Sequence, residues 1–329
     1  MTLLAMSMKL TLMSSIALNE IPYRLNNGIE GELWQVRTAD VRSFHELISF
    51  PERAVALSID AQLFFPPGIE SPAAVIVVPG SLGVGSSHMR KAELLVSAGI
   101  AACVIDPFRQ RGVTSTVSNQ AQYSFAASAW DVIATLEQLT NLERVDPSRI
   151  GAQGHSRGGS AVLSAICLQR LLETSNTFSA VYAAYPWCGQ QFLNPQVDPT
   201  RVRAIVGDQD EWCSPQQVQG YIQAIRLTGG DATCKIVDGA HHSFDRDTPL
   251  EMIAEASVAP SAPTIYVNDD GSMIHPISGE TATEWSEREL MLYSMRAGFG
   301  RRGAHIGGSG QLADIFHSDM MSYWQSTFS

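Results

Sequence analysis

Ala73 to Val78 is an unbroken apolar run rich in valine. Runs of that kind are strands buried on both faces, as in a parallel sheet with helices on each side. Comparable runs recur at Ile100–Ile105, Arg149–Gln153, Phe178–Tyr185, Val202–Val206 and Cys234–Val237. Helical periodicity fills the gaps, over about 87–98, 121–140, 160–172 and Pro215–Leu227. This alternation predicts an α/β fold with a mostly parallel central sheet flanked by helices. Upstream, residues 53–65 alternate apolar and polar and read as an edge strand, which Pro66-Pro67-Gly68 ends. Glu30 to Arg37 is a further strand candidate, and residues 1–50 read as an N-terminal arm. Residues 250–302 break the rhythm. They predict a hairpin, Thr264–Val267 and Ser272–His275, turned by Asp270-Gly271, then a helix over about 282–295. That stretch reads as an insertion on one face, a possible lid, and a final helix over about 311–328 closes the fold. The expected organisation is a single domain over 1–329.

Composition narrows the function. With 329 residues, 45% of them hydrophobic and 17% charged, the chain has ample material for a core. A net charge of −11, with no basic run longer than Arg301-Arg302, argues against a nucleic-acid partner. Met1 to Leu18 is apolar but makes a poor signal peptide, with a barely charged start and no A-x-A site. An uncleaved arm and a cytoplasmic protein are expected, with no membrane-spanning helix. None of the five cysteines lies in a C-x-x-C pair, which disfavours structural zinc. Cys103, Cys167 and Cys234 fall in apolar runs and read as buried thiols. Cys188 and Cys213 each follow a tryptophan just past a predicted strand, which leaves a disulfide between them open.

The chemistry centres on Gly154-His155-Ser156-Arg157-Gly158, a G-x-S-x-G string between a predicted strand and a predicted helix. In that context the serine sits on a sharp, strained turn and presents its hydroxyl above the sheet. A serine hydroxyl needs a base, and the base needs an orienting acid. On an open α/β sheet such groups gather past the carboxyl ends of strands. After Val202–Val206 come Asp208, Asp210 and Glu211; after Cys234–Val237 come His241 and His242. Serine, acid and histidine thus follow the chain order of an α/β-hydrolase sheet. Asp210 is preferred over Asp208, which stands close enough to its strand to cap the loop instead. Glu211 reads as a solvated charge. Only one of the adjacent histidines can face Ser156. The His241-His242 pair with Asp245 and Asp247 supplies no third metal ligand by spacing, so no metal is expected. An oxyanion needs two N–H donors. The Arg157 amide is one candidate, and Ser81, in the glycine loop after Val78, is the other.

Four segments together resemble the dienelactone hydrolase family, in its serine-containing branch of the α/β-hydrolase superfamily. They are Pro79–Gly85, Asp106–Val113, Gly154–Gly159 and Gly239–Asp245. The resemblance implies Ser156 as nucleophile, Asp210 as acid, His242 as base and Ser81 N–H in the oxyanion hole, with no cofactor. Two departures stand out. The founding members use a cysteine nucleophile, and they carry a glutamate where Gly80 stands here. Dienelactone itself is thus not the expected substrate.

Arg111, on a loop past a strand end, is a candidate clamp for a substrate carboxylate or a loop-stabilising ion pair. Tyr185, Trp187 and Trp212 are candidate pocket walls or core residues. The expected activity is hydrolysis of a small ester or lactone through an acyl-enzyme, with a dimer left open. Two alternatives are a peptidase of prolyl-oligopeptidase type and a non-catalytic small-molecule receptor on the same scaffold. The first usually carries a propeller domain, for which the chain has no room. The second predicts a damaged triad, and all three members are present.

Overall fold

The structure, a computed structural model, describes residues 15–329. Most of Met1–Leu18, and the signal-peptide question with it, lies outside the described residues. In chain order, β1 (Glu32–Asp40), α1 (Phe44–Ser49), β2 (Val55–Phe64), β3 (Ala74–Val78), α2 (Ser86–Ser97) and β4 (Ala101–Asp106) come first. Next are α3 (Phe125–Thr140), β5 (Ile150–His155), α4 (Arg157–Leu171), β6 (Ala180–Ala184), β7 (Gln190–Phe192) and β8 (Arg201–Gly207). Then follow α5 (Pro215–Leu227), β9 (Ala232–Val237), β10 (Thr248–Val258), β11 (Ile265–Val267), β12 (Met273–Ile274) and β13 (Thr281–Ala282). Last come α6 (Glu287–Arg296), β14 (Arg301–Gly308) and α7 (Gln311–Phe328).

The main sheet has eight strands in the order β1-β2-β4-β3-β5-β6-β8-β9. Only β1–β2 and β2–β4 pair antiparallel, so the expected α/β-hydrolase sheet is present. Every residue of β3, β4, β5 and β6 is buried, as continuous apolar runs covered by helices require. The edge reading of 53–65 is corrected. β2 lies between β1 and β4, and its first four residues are open to solvent while the other six are buried. The alternation signalled a half-covered strand, and β1 supplies the true edge.

The described part of the arm is tied down by one side chain. Gln62 on β2 donates to Leu18 O (3.1 Å) and Ile21 O (2.8 Å) and accepts from Tyr23 N (2.7 Å). The predicted hairpin is β11–β12, and β11 also pairs parallel with β7 to build a second, four-stranded sheet. Sequence periodicity missed β10 and β14, an antiparallel ribbon that begins just before the expected insertion and ends just after it. Among the described residues no helix is long and apolar enough to cross a membrane.

Candidate active site

Ser156 stands between β5 and α4 with φ 56° and ψ −116°, a conformation that a side chain adopts only under strain. The flanking glycines make the turn possible. A Cβ on Gly154 would lie 1.9 Å from Gly158 O, and one on Gly158 would lie 2.5 Å from Val78 O. The strained turn and the two close backbone approaches therefore demand the G-x-S-x-G spacing.

The loops after β8 and β9 bring the other two groups to this turn. His242 Nε2 is 2.9 Å from Ser156 Oγ, and His242 Nδ1 is 2.8 Å from Asp210 Oδ2. The second Asp210 oxygen accepts from Trp212 N (2.8 Å) and Cys213 N (2.9 Å), so the buried carboxylate is fully used and fixed in direction. The imidazole is held on two sides. The Trp212 ring stacks on it at 5.2 Å and the Tyr185 ring meets it edge-on at 4.8 Å. Hydroxyl, imidazole and carboxylate in one hydrogen-bonded chain are what base-assisted nucleophilic attack requires.

The competing residues go elsewhere. Asp208 is exposed and accepts from Gln209 Nε2 (3.0 Å) rather than capping its loop. His241 packs against His305 at 5.8 Å. Glu211 is not a solvated charge. It accepts from His305 N (2.8 Å) and Arg301 (3.2 Å), which ties the acid loop to β14. Asp245 pairs with Lys91, and Asp247 accepts from Gly310 N, so the His241-His242-Asp245-Asp247 set does not converge.

Ser81 and Arg157 both border Ser156 in the main cleft, and among the described residues neither backbone N–H has an acceptor. Sequence reasoning missed what links them. Gln120 bonds Ser81 Oγ (3.2 Å) and, through its carbonyl oxygens, the Arg157 guanidinium (3.1 and 3.2 Å). That guanidinium is buried over the Phe125 ring at 4.0 Å, and burial pushes its pKa down to about 10.

The cleft holds about 1010 Å³ of empty space, part of it open to solvent. Trp187, Trp212 and Phe125 form its aromatic walls, and Leu290, Met291 and Met295 of α6 roof it. The expected insertion therefore supplies one wall. For two other residues the structure selects between the alternatives: Arg111 makes the ion pair and Tyr185 packs in the core. Arg111 is no substrate clamp here. Its guanidinium is buried and donates to both Asp131 oxygens (2.9 and 3.0 Å), Pro107 O (2.7 Å) and Asp40, outside the cleft. A buried carboxylate on α3 claims it, a pairing three-dimensional packing creates and loop position does not reveal. Tyr185 does not line the main cleft. Its hydroxyl donates to Asp245 (2.6 Å), and its ring backs His242. Cys188 and Cys213 are both buried free thiols, so the disulfide is not formed, and Cys234 is only half-buried.

A sequence profile of the dienelactone hydrolase family matches residues 59–262. No curated protein matches the chain. Among solved structures it resembles m3DLH, at 15% identity and TM-score 0.58, covering 91% of this chain and 99% of that one. It also resembles P91, a dienelactone hydrolase-like promiscuous phosphotriesterase from metagenomic libraries, at 14% identity and TM-score 0.53, covering 91% and 100%. These likenesses show the fold.

Proposed function

The chain belongs to the dienelactone hydrolase family, and from that premise we propose a serine carboxylic ester hydrolase that works through an acyl-enzyme. Membership makes it a hydrolase of the ester type. The serine chemistry rests on one observation: the Ser156–His242–Asp210 chain, with links of 2.9 and 2.8 Å, at the mouth of an apolar cleft.

Ser156 Oγ attacks the ester carbonyl carbon as its proton passes to His242 Nε2. Asp210 holds the Nδ1–H tautomer and stabilises the imidazolium that forms. The oxyanion takes the free N–H groups of Ser81 and Arg157, each such donor being worth roughly 3 kcal/mol in the transition state. His242 then returns the proton to the departing alkoxide, leaving Ser156 acylated. Water, activated by the same histidine, attacks the acyl carbon and frees the acid and the serine. The apolar walls favour a small ester whose acyl or alcohol group is itself apolar.

Ser156→Ala is expected to lower turnover of a short p-nitrophenyl ester by roughly 10⁴-fold or more. A fluorophosphonate should add its phosphonyl group to the wild type, with loss of hydrogen fluoride, and leave the variant unlabelled. Undiminished turnover in Ser156→Ala would end the serine reading.

A further inference from the structure

The Asp210 carboxylate, the Cys213 thiol and the His242 imidazole are all buried, and one donor atom from each lies within 4.8 Å of the others. Sequence spacing placed no third ligand beside the His241-His242 pair and led to no expected metal; the set that converges in the structure is a different one. The thiol enters because Cys213 follows the acid on the same loop, its backbone N–H anchored on Asp210 at 2.9 Å. From this convergence we infer an inhibitory site for a thiophilic divalent cation, of the zinc or cadmium class, built from Asp210, Cys213 and His242.

The donor set suits such an ion. One sulfur, one imidazole nitrogen and one carboxylate oxygen are the ligand types that zinc takes in a tetrahedral site, at roughly 2.0–2.3 Å. Donors around one such ion stand about 3–4 Å apart, so small side-chain rotations close the gap. The fourth position is left for water or the Ser156 hydroxyl. Access exists, because Cys213 and Ser156 line the main cleft and His242 lines a smaller cavity on the other side of Ser156. The ligands are also held in place beforehand, Asp210 by two backbone donors and His242 between two aromatic rings.

An arriving cation binds Cys213 as the thiolate and releases its proton to solvent. The bound ion takes His242 and Asp210 out of the proton relay. Inhibition is therefore a loss of turnover that a chelator reverses. The inhibition rests on the hydrolase reading; the binding does not.

Cadmium alone, titrated into the purified full chain, tests the binding through the ultraviolet thiolate-to-cadmium absorption band. The band should saturate at one ion per chain, vanish in Cys213→Ser and persist in Cys188→Ser and Ser156→Ala. Asp210→Asn and His242→Gln should each weaken binding by about tenfold or more. Cadmium should also slow fluorophosphonate labelling of the wild type, and a chelator should restore it. A band that survives Cys213→Ser, or that Cys188→Ser removes, overturns the site. So does unchanged affinity in both Asp210→Asn and His242→Gln, which would mean binding by a thiol alone. If Cys213→Ser does not fold, the Asp210 and His242 variants decide. Should no variant, wild type included, react with any ester or fluorophosphonate, the hydrolase reading fails while the cadmium band still reports on the site.

Discussion

Asp245 carries a charge in a place where charge is costly, directly behind the candidate base. Its carboxylate receives Lys91 Nζ and the Tyr185 hydroxyl, and both Asp245 and the Lys91 side chain are cut off from solvent. Burial, the largest single effect, pushes the Asp245 carboxyl upward, but the Lys91 ammonium, His155 and the hydrogen bonds from Lys91 and Tyr185 together outweigh it, and the net direction is well below the ordinary carboxylate range. A carboxyl whose folded pKa is depressed adds stability above the unfolded value, and that stability disappears as pH falls through the folded one. Lys91→Met reverses the sign. Burial, the largest effect, then faces only His155 and the Tyr185 hydroxyl and raises the Asp245 pKa, so the variant is penalised most at neutral pH and less as acid protonates the carboxyl. At neutral pH the single change should cost about 3–5 kcal/mol, and Lys91→Met with Asp245→Asn should recover most of it. Urea unfolding across the acid range reads both effects. Wild-type and Lys91→Met curves that stay parallel with pH would refute the pairing as the source. No local pattern announces this pair. Lys91 falls within the helix expected over about 87–98, and its partner lies more than 150 residues away.

At the scale of elements, the ribbon of β10 and β14 holds the site's loops. β14 accepts Trp212 Nε1 at His305 O (2.7 Å) and donates from Gly307 N to His242 O (2.8 Å). It thereby braces the loops that carry the acid and the base. Strand periodicity could not reveal it. β10 shows no clean alternation in burial and its pairing register shifts twice, so the pattern of two dissolves. The elbow was legible for the opposite reason. G-x-S-x-G, the order serine–acid–histidine and the strands before each are local features that backbone geometry forces on the sequence. α6, in contrast, was visible as a helix but not as a roof. Leu290 is buried there against the cleft that Ser156 borders. Leu290→Trp is expected to shorten the apolar group the cleft admits. Each methylene that no longer fits costs about 1–3 kcal/mol in kcat/KM. Across p-nitrophenyl esters of increasing acyl length, the loss should grow steeply beyond the length at which the new ring is met. A uniform loss along the series would show that α6 does not measure substrate length.

For the whole molecule, the parallel sheet was legible from its apolar runs, whereas the strand order was not, because pairing is chosen by packing after the runs are formed. The final helix illustrates the difference. Its boundaries follow from periodicity, but its partner does not. α7 lies across the sheet with Asp319 receiving the Tyr182 hydroxyl (3.0 Å) and Arg203 Nε (3.1 Å). Trp324 is fully buried over Gly151, where a Cβ would come within 2.4 Å of the indole, and it donates to Gln153 Oε1 (2.8 Å). Both contacts fall on β5, the strand that carries Ser156, so the end of the chain supports the elbow from below. Trp324→Ala opens a cavity beneath β5 and should cost about 3–5 kcal/mol. Trp324→Phe keeps most of the volume and removes the hydrogen bond. It should therefore cost less, about 1–3 kcal/mol, the penalty of leaving the buried Gln153 carbonyl without its donor. Equilibrium unfolding of the two variants separates the contributions. If Phe and Ala cost the same, the hydrogen bond rather than the filled volume holds α7 to the sheet, and the packing account of this end of the molecule is wrong.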